Sequence, residues 1–404
     1  MQPLENFRVL DLCIQGPGHF TTQYLADLGA DVIRVVAVPD SGRANNPFMN
    51  IPDDKRYLAR DPMNRNKRCI AINLKSLDGR EVFMKLAKTA DVIMEGARPG
   101  AAKRMGVDYE EVKKVNPRII YCSLSGYGQD GSYSQLPGHD LNYIGYAGIL
   151  SVIGELDGPP VIPANYIADF AGASLHGVIG VTSALLAREK TGKGQFLDIS
   201  YTDAAIALNG VSLSLYLQAG FMFDRGGMLF CGAYPAYSVY KTKDDKWLTL
   251  ACMEPWFWEN ACRVLGLEQY IEDGMLPIAA YYDKRPPADS KFAEVRQALE
   301  DIFKTKSRDE WVELLQKHDV PAGPAYTMDE VANDPHLNHR MVIEVDVPEV
   351  GKVRQPGFAI KMSETPCTFR KRAPGFGEDT DELLTSAGYT SAQIEELRKS
   401  RAVA

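Results

Sequence analysis

Histidine is scarce in this sequence, six in 404 residues, and cysteine is scattered rather than paired. The seven cysteines, at 13, 69, 122, 231, 252, 262 and 367, include no C-x-x-C. That spacing argues against a zinc site or a disulfide framework and suits reduced thiols in the cytoplasm. No metal is expected. Positive charge is in deficit: the net charge is −8 and the isoelectric point is near 5.4. Broad binding to nucleic acid or to an anionic membrane is therefore not expected, although a local basic site for a phosphorylated ligand stays open. No run of about 18 apolar residues stands out, so no membrane span is expected. The opening "MQPLENFRVLDL" lacks the basic and long apolar regions of a secretory signal, and the closing "SRAVA" carries no peroxisomal address. Internal repeats and low-complexity tracts are missing too.

What is present is ordinary for a globular chain, 45% apolar and 24% charged. At 404 residues the chain exceeds the usual ceiling for one core, so two domains are expected. "FRVLDL" (7–12), "DVIRVV" (31–36), "KRCIAINL" (67–74), "DVIMEG" (91–96) and "RIIYCSLSG" (118–126) read as strands. The segments "TTQYLADLGA", "LDGREVFMKLAKTA" and "DYEEVKKVN" between them read as helices. Strands alternating with helices predict an α/β fold with a Rossmann-like parallel sheet covered on both faces. A small-residue-rich apolar stretch from about 169 to 189 predicts a buried helix, followed by the strand "FLDIS" and the helical "YTDAAIALNGVSLSLYLQAG".

The large domain is assigned to 1–220. Glycines and aromatics over 221–235 suggest a linker, and a smaller α+β domain follows over 236–330. It holds the hairpin "YSVYKTKDDKWLTLAC" and the helices "PWFWENACRVLG", "KFAEVRQALEDIFKT" and "RDEWVELLQKH". The segment 331–404, with a second hairpin in "VIEVDVPEVGKVRQPGFAIK", is assigned as returning to the large domain, a point that alternation alone leaves open.

The first strand–turn–helix, with Gly16 and Gly18, invites a dinucleotide reading, but the third glycine of that fingerprint is absent. The second strand carries Arg34 where an NAD site needs an acid for the ribose diol. Arg34 either meets the phosphate of a phosphorylated adenosine or is simply solvated. "NRNKRCIAINLKS" concentrates Arg65, Lys67, Arg68 and Lys75, and "EGARPG" places Arg98 directly after a strand. These groups are either a solvated charge run or the grip for a polyanionic ligand such as coenzyme A. The stretch "LPGHDLNYIGYAGIL" puts His139 and Asp140 behind a Pro-Gly turn at a helix start, where a carboxylate could merely cap orphan N–H groups. Asp169 in "NYIADFAG" and Glu254 in "ACMEPWFWENAC" sit at similar cap-like positions.

From Asn6 to about residue 345 the chain resembles the family III coenzyme A transferases, and within them most closely the α-methylacyl-CoA racemases. The stretches that carry the likeness include "GPGHFTTQYLADLGADVIRV", "DVIMEGARPGAAKRMGV", "GHDLNYIGYAGILSVIG", "YIADFAGAS", "TGKGQFLDIS", "EPWFW" and "NDPHLNHR". The resemblance implies an interlocked homodimer acting on an acyl-CoA, with coenzyme A as part of the substrate and no prosthetic group. It makes His139 and Asp169 opposed acid–base groups and Glu254 the support of the imidazole, across subunits. The Asp140 amide would face the enolate oxygen. Arg34, Arg65, Arg68, Lys75, Arg98 and Tyr143 are assigned to coenzyme A, and Met222, Met228, Tyr237 and Trp256 to the acyl group or to core. The expected reaction is inversion at the α-carbon of a 2-methyl-branched acyl-CoA. The alternative is CoA transfer between an acyl-CoA and a carboxylic acid, with Asp169 as nucleophile forming a mixed anhydride. A non-catalytic CoA-binding subunit is a third reading, disfavoured by the retention of all three acid–base residues. Two departures stand out: no acidic-then-Pro pattern follows Arg34, and residues 40–60 form an insertion that reshapes the adjacent loop.

Overall fold

The computed structural model describes residues 1–14, 16–38, 54–273, 291–348 and 350–404. Two compact units emerge, one of Met1–Tyr143, Ala164–Ala207 and His336–Ala404, the other of Ile144–Pro163 and Leu208–Pro335.

The first unit is built on six parallel strands: β1 (Arg8–Asp11), β2 (Asp31–Val36), β3 (Lys67–Ala71), β4 (Val92–Glu95), β5 (Ile120–Ser125) and β6 (Gln195–Ser200). Their order is β3-β2-β1-β4-β5-β6, the doubly wound order whose direction reverses between β1 and β4. The central strands are mostly apolar because both sheet faces are covered; every residue of β4 and β5 is buried, including Ser123 and Ser125. The helices Leu77–Ala87 and Tyr109–Val115 fall within two of the expected segments; the helix Gly16–Asp27 overlaps the third but starts earlier, taking Gly16 and Gly18 of the expected turn into its first turn.

The return of the chain end protects the β3 edge. Side chains of Asp379 and Thr380 accept from the backbone amides of Cys69 and Ala71, and Val403 bridges to Ile72. Leu383, Leu384 and Ile394, from two short helices that sequence patterning overlooked, join Ile70 and Phe83 in the core. An open edge strand is thereby covered rather than left as a template for other chains.

One helix departs from the membrane expectation. Tyr166–Thr191 runs 26 residues and contains an 18-residue window with a mean hydropathy of 1.5, long and apolar enough to cross a bilayer by length and composition. Its buried residues Gly177, Val181, Ala184, Leu185 and Arg188 follow helical spacing along one stripe. Gly177 lies against Thr21, and Arg188 is buried in an ion pair with Asp91 at 2.8 Å. Those contacts are the packing of a core helix on a sheet.

The second unit carries an antiparallel sheet of β7 (Tyr237–Lys241), β8 (Trp247–Ala251) and β9 (Ala322–Pro324). Helices Pro255–Leu265, Phe292–Phe303 and Arg308–Lys317 bury Trp258, Leu299, Phe303 and Trp311 against it. The contiguous boundaries expected from sequence do not describe this division. The chain leaves the first unit after Tyr143, re-enters at Ala164 and leaves again after Ala207. Residues 221–235 are no linker between units, because Leu229 and Tyr234 are buried with Phe292 inside the second one. Burial of apolar faces, not chain order, sets the partition. Residues 39–53, most of the expected insertion, lie outside the described residues; from Asp54 the chain forms a short helix, Lys55–Leu58, capped by that aspartate.

Candidate active site

The Pro137-Gly138 turn is held by aromatic packing. Tyr143 donates its hydroxyl to the Gly138 carbonyl at 2.5 Å and stacks on Tyr201, with ring centres 5.1 Å apart. A Cβ at Gly138 would lie 2.6 Å from the Tyr143 ring and 2.8 Å from the Tyr127 hydroxyl, so only glycine fits this close approach. Tyr143 itself is buried as a clamp, which corrects its assignment to coenzyme A. His139 then caps the helix Asp140–Tyr146: its amide donates to Asn142 Oδ1 at 3.1 Å, half of a capping box. The local cap is therefore Asn142, and the imidazole of His139 stays exposed.

Asp140 does not cap its own helix. Its Oδ2 accepts from the amides of Ala168 and Asp169, both at 2.8 Å, so it caps the helix that starts 26 residues later. Orphan first-turn amides are satisfied from another segment, and that contact brings the two short motifs together. The first nine residues of that helix, Tyr166–Ser174, are π-helical, a wide turn that recurs at functional sites. Ser174 holds this turn by donating to the carbonyls of Asp169 and Pro17, at 2.7 and 2.8 Å.

Asp169 lies in the π-turn, 9% exposed. Burial first, then the negative charge of Asp140, pushes its carboxyl up to about 6; Asn165 and His139 pull the other way. Asn165 donates a long 3.4 Å hydrogen bond to Asp169 Oδ2. Sequence reading missed Asn165, though its position four residues before Asp169 in "NYIAD" placed both on one helical face. The first unit thus unites a solvent-facing imidazole, a carboxyl tuned towards neutrality and a buried carboxylate that supports the second.

Glu254 occupies the N-cap position of Pro255–Leu265 in the second unit, yet its carboxylate makes no capping hydrogen bond. In the same unit Met222 and Trp256 are exposed and Met228 and Tyr237 half-buried, Tyr237 packing against the cluster of Leu229, Tyr234 and Phe292.

The basic residues separate by burial. Arg65 is fully buried, paired with Asp27 at 2.7 Å and donating to the Pro356 carbonyl at 2.5 Å, which removes it from ligand binding. Arg68 is spent on Asp31 at 2.5 Å and on Glu382 at 3.0 Å. Both were assigned to coenzyme A because charge density along the chain does not reveal partners from distant segments. Arg65→Ala leaves Asp27 buried without its cation, so denaturant unfolding is expected to show a loss of about 3–5 kcal/mol. The affinity of the folded protein for coenzyme A should stay within about two-fold.

Lys75 and Arg98 are exposed, and Arg34 is half-buried with its guanidinium 3.4 Å from His19 Nε2. Beneath Arg34 lies a polar network that sequence reading did not anticipate. Lys67, fully buried, donates to Thr22 at 2.7 Å and to the His19 carbonyl at 3.1 Å, and stands 3.5 Å from Asp11. Burial lowers the Lys67 ammonium to about 8. The Asp11 carboxyl is held well below its usual range: burial opposes ionisation, but Lys67, His19 and Thr22 outweigh it. This network ties the helix Gly16–Asp27 to three strands near the point of sheet reversal, where open α/β sheets bind ligands.

The family model for CoA-transferase family III matches residues 4–380. Over 400 residues the chain is 30% identical to alpha-methylacyl-CoA racemase of Homo sapiens, spanning 99% of this chain and 97% of that protein. It is 31% identical over 425 residues to formyl-CoA:oxalate CoA-transferase of Shigella sonnei (strain Ss046), spanning 99% of each. A solved CaiB/BaiF family protein from Brucella suis superimposes with a TM-score of 0.78 at 29% identity, over 96% of this chain and 99% of that one. With a doubly wound six-strand sheet and a relative of its own length on each side of the racemase–transferase divide, the chain belongs to CoA-transferase family III, whose members act on CoA thioesters.

Proposed function

We propose that this protein inverts the α-carbon of a 2-methyl-branched acyl-CoA by 1,1-proton transfer through an enolate. The observation that carries the reading is the acid–base pairing at one turn: an exposed imidazole at His139 and an Asp169 carboxyl raised to about 6, joined through Asp140. One group removes the α-proton, the C–H electron pair moves into the thioester carbonyl, and the other group returns a proton on the opposite face. With its carboxyl raised to about 6, Asp169 can hold or release a proton near neutrality. Asp140 opens its helix, so its own N–H has no intrahelical acceptor and can meet the enolate oxygen. The carboxylate of Glu254 from a second copy of the chain, which makes no capping hydrogen bond among the described residues, would steady the imidazole of His139.

A transferase reading has support of its own, including the formyl-CoA:oxalate CoA-transferase relative at 31% identity. Incubation of a 2-methylacyl-CoA in deuterated water, with no free carboxylic acid, separates the two. Deuterium at the α-carbon without thioester exchange is the racemase result. No uptake, with CoA moving only when an acceptor acid is added, is the transferase result and ends the first proposal.

The proposal includes a second copy of the chain. The helix Gly210–Ala219 buries none of its residues and exposes Val211 (73%), Leu213 (40%), Tyr216 (51%) and Leu217 (72%). An apolar helix this bare needs a partner surface. Sedimentation equilibrium is expected to give a dimer for the wild type, and Val211→Lys with Leu217→Lys a monomer at least ten-fold less active; a monomeric, active wild type would refute it. All seven cysteines are free, which fits work in the reducing cytosol.

A further inference from the structure

Glu95, the last residue of β4, is a buried carboxylate that the proposed proton transfer does not use. Its Oε2 accepts from the Ala97 amide at 2.8 Å, and its Oε1 accepts from the Ser123 hydroxyl on β5. Ser123 in turn accepts from Gln129 Nε2 at 2.8 Å, and the Gln129 amide donates to Asp198 of β6 at 3.0 Å. One carboxylate thus braces two loops at the C-terminal ends of adjacent strands. Among the described residues no cation pairs with it, and burial pushes its carboxyl up despite both hydrogen bonds. A buried acid without a counter-ion is costly to keep as simple packing.

The first braced loop carries Arg98. Ala97, clamped by Glu95, immediately precedes it, and Pro99 follows, restricting Arg98 to extended backbone. One further contact closes the turn, Ala101 donating to the Arg98 carbonyl at 3.0 Å, with Gly100 at a left-handed φ of 83°. With both flanks fixed, the direction in which the Arg98 side chain leaves the backbone is set, while its guanidinium stays exposed. The second braced loop leads to the catalytic turn, because Gly126 lies directly against Tyr143: a Cβ there would sit 2.8 Å from its ring.

We infer that Glu95 is a positioning residue for thioester recognition, whose carboxylate sets the Gly96–Gly100 turn so that Arg98 meets a phosphate of the CoA moiety. The inference rests on the CoA-thioester reading of the site. Either protonation state can act, since a neutral carboxyl still accepts from Ala97 and donates to Ser123. Glutamine reproduces that neutral form; alanine removes the clamp.

The test is a double-mutant cycle read by calorimetric titration with free coenzyme A and by steady-state exchange kinetics. Arg98→Ala is expected to weaken CoA binding about ten-fold. Glu95→Ala should weaken it about five- to ten-fold, raising KM while kcat stays within about two-fold. Glu95→Gln should bind within about two-fold of wild type. The double variant should bind no more weakly than Arg98→Ala alone, because both changes disable one contact. Should Glu95→Ala fail to fold, Glu95→Asp, whose shorter arm cannot span both partners, is expected to show the same KM effect. Wild-type affinity in the alanine or aspartate variant, or fully additive losses in the double variant, would overturn the inference and leave the CoA reading intact. Failure of the wild type to bind coenzyme A would instead overturn the functional reading beneath it.

Discussion

Asp169→Asn is expected to lower interconversion of the two α-carbon enantiomers about a thousand-fold, within the range for loss of a positioned acid–base group. The amide keeps the volume and one acceptor but can neither give nor take the proton. The same variant carries a signature in stability. In the fold the Asp169 carboxyl holds its proton up to about pH 6, whereas in the unfolded chain it releases it near 3.8. Between those values the native state binds more protons, so this group's contribution is full below about pH 4 and declines as pH rises towards 6. Above pH 6 the ionised carboxylate is a net cost, reduced by the solvent that reaches it. Asp169→Asn should therefore be about 1–2 kcal/mol more stable than wild type at pH 7 and equal to it at pH 4 in urea melts. An asparagine variant that still interconverts the enantiomers at the wild-type rate would remove Asp169 from the chemistry.

His139→Gln is expected to abolish interconversion of the two enantiomers, again by about a thousand-fold, while sparing one half-reaction. Asp169 remains, so the enantiomer whose α-proton faces it should still trade that proton for deuterium. The opposite enantiomer should take up none. Chiral separation of each labelled substrate reads this asymmetry directly. Under the transferase alternative His139 has no obligatory role, so CoA transfer to an added acid would survive at near wild-type rate. That survival, with no exchange in either enantiomer of the wild type, would exclude the racemase.

The extent to which the site was readable along the chain differs residue by residue. His139, Asp140 and Asp169 stood out because short turn and helix-start signals are local, and family likeness gave them roles. Their actual linkage was not local: Asp140 caps a helix that begins 26 residues away, which neither motif discloses alone. Asn165 was within reach of helical spacing, since it lies four residues before Asp169. Arg65 and Arg68 misled because they are basic, clustered and near a strand end, yet Asp27, Asp31, Glu382 and the 355–357 segment consume them. Glu95 gave no signal beyond a single acid before Gly-Ala-Arg.

The sequence by itself determined the parallel strands, most of the helices and the residue types at the reactive turn. Those features depend on alternation, helical period and turn chemistry within about a dozen residues. Only the tertiary structure decided which charges are buried, where the chain crosses between units, and that Asp169 keeps its proton towards neutrality. Each of those depends on groups brought together from distant positions, and burial and charge proximity act through space, not along the chain.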